Sequence, residues 1–117
     1  MAILTLKFKR KVPGVYNANK LHYPNLGKYF EALDEVAWDI GAKPLSKLSE
    51  GYANDEIDPW FSAKLANMTV SALLAYIQNN PDRIDEAGAV MDELRKVKRP
   101  LSQAAEDLIP FRFIMIG

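Results

Sequence analysis

The sequence predicts an α+β domain in which an amino-terminal and a carboxy-terminal β-strand pair in a small sheet, packed by about four intervening α-helices. Three observations carry that expectation. Both ends of the chain alternate with period two, the middle repeats apolar residues every three or four positions, and glycine and proline mark the boundaries. With 117 residues, 49% hydrophobic and 26% charged, the chain has the size and composition of one folded domain, 1–117, rather than of a disordered segment.

From Ala2 to Lys9, Leu4, Leu6 and Phe8 fall on one side and Ile3, Thr5 and Lys7 on the other, the pattern of a half-buried strand. Phe111 to Ile116 alternates again, setting Phe111, Phe113 and Met115 against Arg112, Ile114 and Ile116. Chain ends stay ordered when a sheet ties them down, so these two strands are expected to pair with each other, in a direction the alternation leaves open. Between Lys11 and His22, Pro13, Gly14, Asn17 and Asn19 predict a loop. A first helix is expected from about Asn25, as its cap, to Ile40, with Leu26, Tyr29, Phe30, Leu33, Ala37 and Ile40 as its buried stripe and Gly41 as its left-handed stop. Asp58 and Pro59 suggest the start of a short helical turn through Trp60 and Phe61, and Thr69 the cap of a helix carrying Val70, Leu73, Leu74 and Ile77. A further helix from about Pro81 to Lys98 has Ile84, Ala87, Met91 and Leu94 inward. Its acids Asp82, Asp85 and Glu86 and its cations Arg95, Lys96 and Lys98 match the helix dipole. Pro100 then makes one bent helix or two of residues 81–108.

The formal net charge is zero, yet it is unevenly spread. Residues 1–30 carry Lys7, Lys9, Arg10, Lys11, Lys20 and Lys28 and no acid, whereas residues 31–58 carry eight acids against Lys43 and Lys47. Such poles pair within the fold, with a second copy or with a partner. The chain has no cysteine, which removes disulfides, thiolate catalysis and cysteine metal sites from consideration and fits a cytoplasmic protein. The start lacks the order of a signal peptide, and no apolar run has the length of a membrane span. No glycine-rich phosphate loop, GxSxG elbow or EF-hand spacing occurs, and a single histidine rules out a histidine-rich metal site within one chain, so neither metal nor cofactor is expected.

The best candidate surface is the acidic, aromatic segment 51–61, with Tyr52, Asp55, Glu56, Asp58, Trp60 and Phe61, because interfaces concentrate aromatic anchors rimmed by charge. The competing reading makes Trp60 and Phe61 plugs of the core. His22 is the one side chain whose ordinary range suits general acid–base work near neutrality, so a small polar pocket of Tyr16, Asn17, Asn19, His22 and Tyr23 is the alternative site. The run Arg95, Lys96, Lys98 and Arg99 reads as a solvated helix end. It lacks interleaved aromatics, and the basic amino-terminal segment, whose Lys7, Lys9, Arg10 and Lys11 also protect an outer strand from edge-to-edge pairing, serves nucleic acid only as a further alternative.

The segments YFEALDEVAWDIGAKPLSKL, DPWF and MTVSALLAYIQNNP, in that order, resemble small bacterial proteins of unknown function, in which a helix ends in glycine, a PL pair follows, and a tryptophan–phenylalanine pair closes a short loop. The resemblance covers about residues 29–116. It implies a bacterial origin and the same α+β outline, and carries over no catalytic residue. The expected function is a non-catalytic, cytoplasmic protein-binding or regulatory module, immunity-like in character, acting on a protein partner or on a second copy as a homodimer. The alternatives are a small enzyme or ligand-binding protein built around His22, and nucleic-acid binding through the basic amino terminus.

Overall fold

The computed structural model describes residues 2–15, 21–49 and 60–116. Strand β1 (Ile3–Phe8) and strand β3 (Phe111–Ile116) pair antiparallel, with Leu4 opposite Met115, Leu6 opposite Phe113 and Phe8 opposite Phe111. Residues directly opposite one another share a face, so the two alternations merge into one apolar surface. Leu4, Leu6, Phe111 and Phe113 are buried there, and the two phenylalanine rings meet edge to face with centroids 5.0 Å apart.

A third strand, β2 (His22–Tyr23), pairs antiparallel with the other edge of β1 and gives the order β2-β1-β3. A loop was expected to run up to His22, because a two-residue strand is too short to show a period. Tyr23 lies opposite Leu4 and is buried, whereas His22 lies opposite Thr5 and is exposed. The free edge of β3 is covered by a parallel bridge from Ser49 to Phe113 and an antiparallel one from Phe61 to Phe111, the latter closed by backbone hydrogen bonds of 2.8 and 3.0 Å. Phe61 is therefore strand-like and not part of a helical turn, while Asp58 and Pro59 lie outside the described residues.

The outer face of the sheet is not bare. Thr5 is buried and donates its hydroxyl to the Leu21 carbonyl at 2.6 Å, and Arg112, 4% exposed, holds its guanidinium 5.1 Å from the centre of the Trp60 ring. Ile3 and Ile114 are half-buried, and Ile116 stays exposed at the open end.

The expected first helix is two. Helix α1 (Pro24–Lys28) and helix α2 (Phe30–Asp39) meet at Tyr29, through which hydrogen bonds still pass, Tyr29 N–H to Asn25 and Leu33 N–H to Tyr29. Just before the break α1 packs closely: a Cβ on Gly27 would lie 2.4 Å from the Ala2 carbonyl oxygen and 2.8 Å from Ile3 Cα, so α1 rests backbone on backbone against the start of β1. Nor is Asn25 the cap. Pro24 occupies the first turn, and the Asn25 backbone N–H goes to a carboxylate from another helix. Gly41 ends α2 as expected, at φ 74°, with Ala42 N–H bonded to Ala37 and Gly41 N–H to Trp38, the Schellman pattern. A short 3₁₀ turn follows at Leu45–Leu48.

Helix α3 (Ala63–Asn79) starts six residues before the expected Thr69, which is buried in its second turn; Ser62 is the cap and accepts from the Leu65 N–H at 3.2 Å. After a 3₁₀ turn at Pro81–Arg83, helix α4 (Ala87–Glu106) continues straight through Pro100. Its inward row is Val90, Leu94, Val97, Leu101 and Ala104, so the buried stripe is centred one position away from the expected Ala87–Met91 register. Burying the Pro100 ring between α4 and its neighbours offsets the lost backbone donor. Since the helix runs on to Glu106, the cations Arg95, Lys96, Lys98 and Arg99 sit in its middle and not at a carboxy-terminal turn. Likewise Asp82, Asp85 and Glu86 precede the helix. The end of α4 repeats the Schellman pattern, with Ile109 N–H to Ala104 and Leu108 N–H to Ala105, but a leucine fills the left-handed position at φ 53°. Among the described residues no helix is long and apolar enough to cross a membrane.

Candidate functional site

Of the large apolar side chains left in water, Trp38 is the largest, and it is 74% exposed. Helical spacing explains its direction: Leu33, Val36 and Ala37 face the core, so Trp38 shares the opposite side of α2 with Glu31 and Glu35, seven and three residues earlier. The left-handed turn at Gly41 folds the chain back and sets Pro44, Ser46 and Lys47 across from α2, leaving a cleft of about 460 Å³ between them.

The polar walls of this cleft are built. Asp34 accepts the Ser46 N–H at 3.2 Å and so fixes the 3₁₀ turn to α2. Asp39 is ion-paired with Arg83, whose other guanidinium nitrogen donates to the Tyr76 hydroxyl at 3.1 Å while the group lies over the Tyr76 ring. These contacts, that with Asp39 first, hold the Arg83 guanidinium above its ordinary proton affinity. Glu31 and Glu35 are exposed and make no ion pair or hydrogen bond with a described residue. The cleft thus presents an exposed indole beside Glu35, a carboxylate the fold leaves unused, with Asp34 and Asp39 engaged and Lys47 and Arg83 in the same wall. A lysine or arginine side chain matches it, with the cation over the indole face and the carboxylates around it.

The structure brings some of the sequence-predicted site residues together. His22 and Tyr23 line a second cleft, of about 380 Å³, with Gly14, Val15, Lys96 and Arg99. Among the described residues no carboxylate lines it and none hydrogen-bonds the imidazole, so no described residue orients His22 as a base. The Tyr23 phenol is pushed up to about 12 by burial first and by Glu93 second, so it stays protonated at neutral pH. Tyr16, Asn17 and Asn19 lie outside the described residues, as do Tyr52, Asp55, Glu56 and Asp58. Trp60 and Phe61 are half-buried and engaged, one over Arg112 and the other in the sheet; together with Ala105, Leu108 and Pro110 they line a third cleft of about 310 Å³. Among the described residues no three potential metal ligands gather.

Two side chains that shape the surface and the core were not singled out by the sequence. Trp38 had a signal: it belongs to none of the apolar spacings of its helix, so it had to point outward. Glu93 had a weaker one, since it lies three residues after Val90 and four before Val97 on the buried side of α4. It is 8% exposed and its carboxylate accepts from Asn25 N–H at 2.9 Å, Leu26 N–H at 3.0 Å and Asn25 Nδ2 at 2.6 Å. A residue of α4 therefore satisfies the amino-terminal donors of α1, which is structural work.

The chain matches no protein family, and no curated protein or solved structure is significantly similar to it. The likeness to small bacterial proteins accordingly rests on the short sequence pattern alone.

Proposed function

We propose that this chain is a non-catalytic, cytoplasmic protein-binding module that takes a lysine- or arginine-bearing segment of a partner against Trp38. The observation that carries this reading is the indole itself, three-quarters in water on the rim of a built cleft. Covering it would remove on the order of 150 Å² of mostly apolar surface, a gross gain of about 4 kcal/mol, which is the scale of an interface hot spot. Glu35 in the cleft wall, with Glu31 further along the same side of α2, supplies the charge preference, and the contacts of Asp34 and Asp39 place the cleft walls without a ligand.

The test uses the fluorescence of Trp38 in a Trp60→Phe background, titrated with a short arginine–glycine peptide and with its glutamate–glycine counterpart. Saturable, salt-sensitive quenching by the arginine peptide and none by the glutamate peptide is expected. No saturable change at low salt would overturn the reading.

A further inference from the structure

We infer that the outward face of α4 is a binding site for a ligand carrying phosphate groups. Four cations, Arg95, Lys96, Lys98 and Arg99, occupy five consecutive positions. At spacings of three and four they repel one another on the helix surface, each close pair costing a few tenths of a kcal/mol. The helix dipole does not compensate, because the helix continues to Glu106. Lys96 is paired with Asp92 at 3.0 Å, one turn away and exposed; Arg95, Lys98 and Arg99 form no ion pair among the described residues.

The surface around this ridge is concave on both sides. Between α3 and α4 a cleft of about 480 Å³ is lined by Leu74, Arg95, Lys98, Arg99, Ser102, Gln103 and Glu106, three cations against one carboxylate among the described residues. On the other side lies the 380 Å³ cleft with Lys96, Arg99 and His22, so Arg99 stands on the divide and reaches either. Ser102 Oγ accepts from Asn67 Nδ2 at 3.1 Å, which leaves its hydroxyl proton as a donor. Two arginines one turn apart are about 6 Å apart at Cβ, and each guanidinium offers a planar fork that fits a phosphate through two hydrogen bonds. A ligand with two or more phosphates spans the ridge. Among the described residues His22 is the one exposed ring in either cleft, too little for the serial base stacking that holds single-stranded nucleic acid. Two sources share the remaining chemistry, a soluble polyphosphate and the backbone of a duplex.

The site lies on α4 and does not depend on the Trp38 reading. Titration calorimetry at low salt with inorganic tripolyphosphate, and separately with a short blunt DNA duplex, tests it. Binding of tripolyphosphate alone assigns a soluble ligand, and binding of the duplex alone assigns a backbone. In either case Arg95→Gln with Arg99→Gln weakens affinity by about tenfold or more, while Lys64→Gln leaves it unchanged. The double variant's unfolding midpoint reports whether it is still folded. No binding of either probe overturns the site, as does an unchanged affinity in the folded double variant or equally tight binding of hexaglutamate.

Discussion

The two sides of α4 hold charge in opposite ways. Facing inward, the single carboxylate of Glu93 is almost out of water and is met by three donors from α1, each within hydrogen-bond distance. Facing outward, four cations crowd together, and three of them form no ion pair among the described residues. The outer side of α2 repeats the second arrangement with the sign reversed, where Glu31 and Glu35 stand unused beside Trp38. Buried charge is costly unless satisfied, so Glu93 belongs to the fold; exposed charge is cheap to leave unsatisfied, so its concentration reflects what the surface meets.

If this division is right, variants of the two sides differ first in stability. Glu93→Ala strands the Asn25 and Leu26 N–H groups in the interior and is expected to cost about 3 kcal/mol in a urea unfolding experiment. Glu93→Gln, which keeps one acceptor, should cost less. A loss below about 1 kcal/mol for the alanine variant would erase the contrast.

Tyr23 gives the next largest effect, through pH. Its folded-state value, about 12, lies above the unfolded value of 10.0, so the folded chain keeps a proton that the unfolded chain loses. Its contribution is intact below pH 10 and falls away as the pH rises toward 12, by at most about 2.7 kcal/mol. The difference between the parent and Tyr23→Phe isolates this slope from lysine titration. Parallel stability curves across that range would mean that the phenol is not buried beside Glu93.

The carboxy-terminal ends of α2 and α4 sharpen the comparison at smaller scale. Both close with the same hydrogen-bond pattern, but Gly41 fills the left-handed position in one and Leu108, 83% exposed, in the other. Gly41→Ala is expected to destabilise by about 1 kcal/mol and Leu108→Gly to stabilise by about 0.5 kcal/mol, opposite signs at equivalent sites. Arg95→Gln with Arg99→Gln should move stability least, by about 0.5 kcal/mol or less and upward, since it relieves repulsion.

What the sequence made legible follows the same line. The strands at both ends were readable because alternation is a local pattern, and antiparallel pairing then placed Leu6 against Phe113. The stop at Gly41 was readable for the same reason. Features decided by distant contacts were not. The break at Tyr29 comes where Gly27 packs against Ala2, and α3 starts at Ser62 rather than Thr69, whose β-branched side chain is packed in the interior. The unbroken course of α4 depends on the burial of Pro100, and β2 on pairing with β1. Of the candidate site, the concentration of acids in residues 31–58 was visible but the exposed indole was not, because sequence gives the aromatic pair Trp60–Phe61 the same signal and only the fold shows that it is engaged.

Trp38→Ala tests the central claim most directly, with unfolding stability and arginine-peptide affinity measured on the same preparation, the latter by calorimetry. An indole that serves a partner and not the fold predicts stability within about 0.5 kcal/mol of the parent and peptide affinity lowered by about tenfold or more. A stability loss of about 2 kcal/mol with peptide binding retained would contradict it and return Trp38 to the fold.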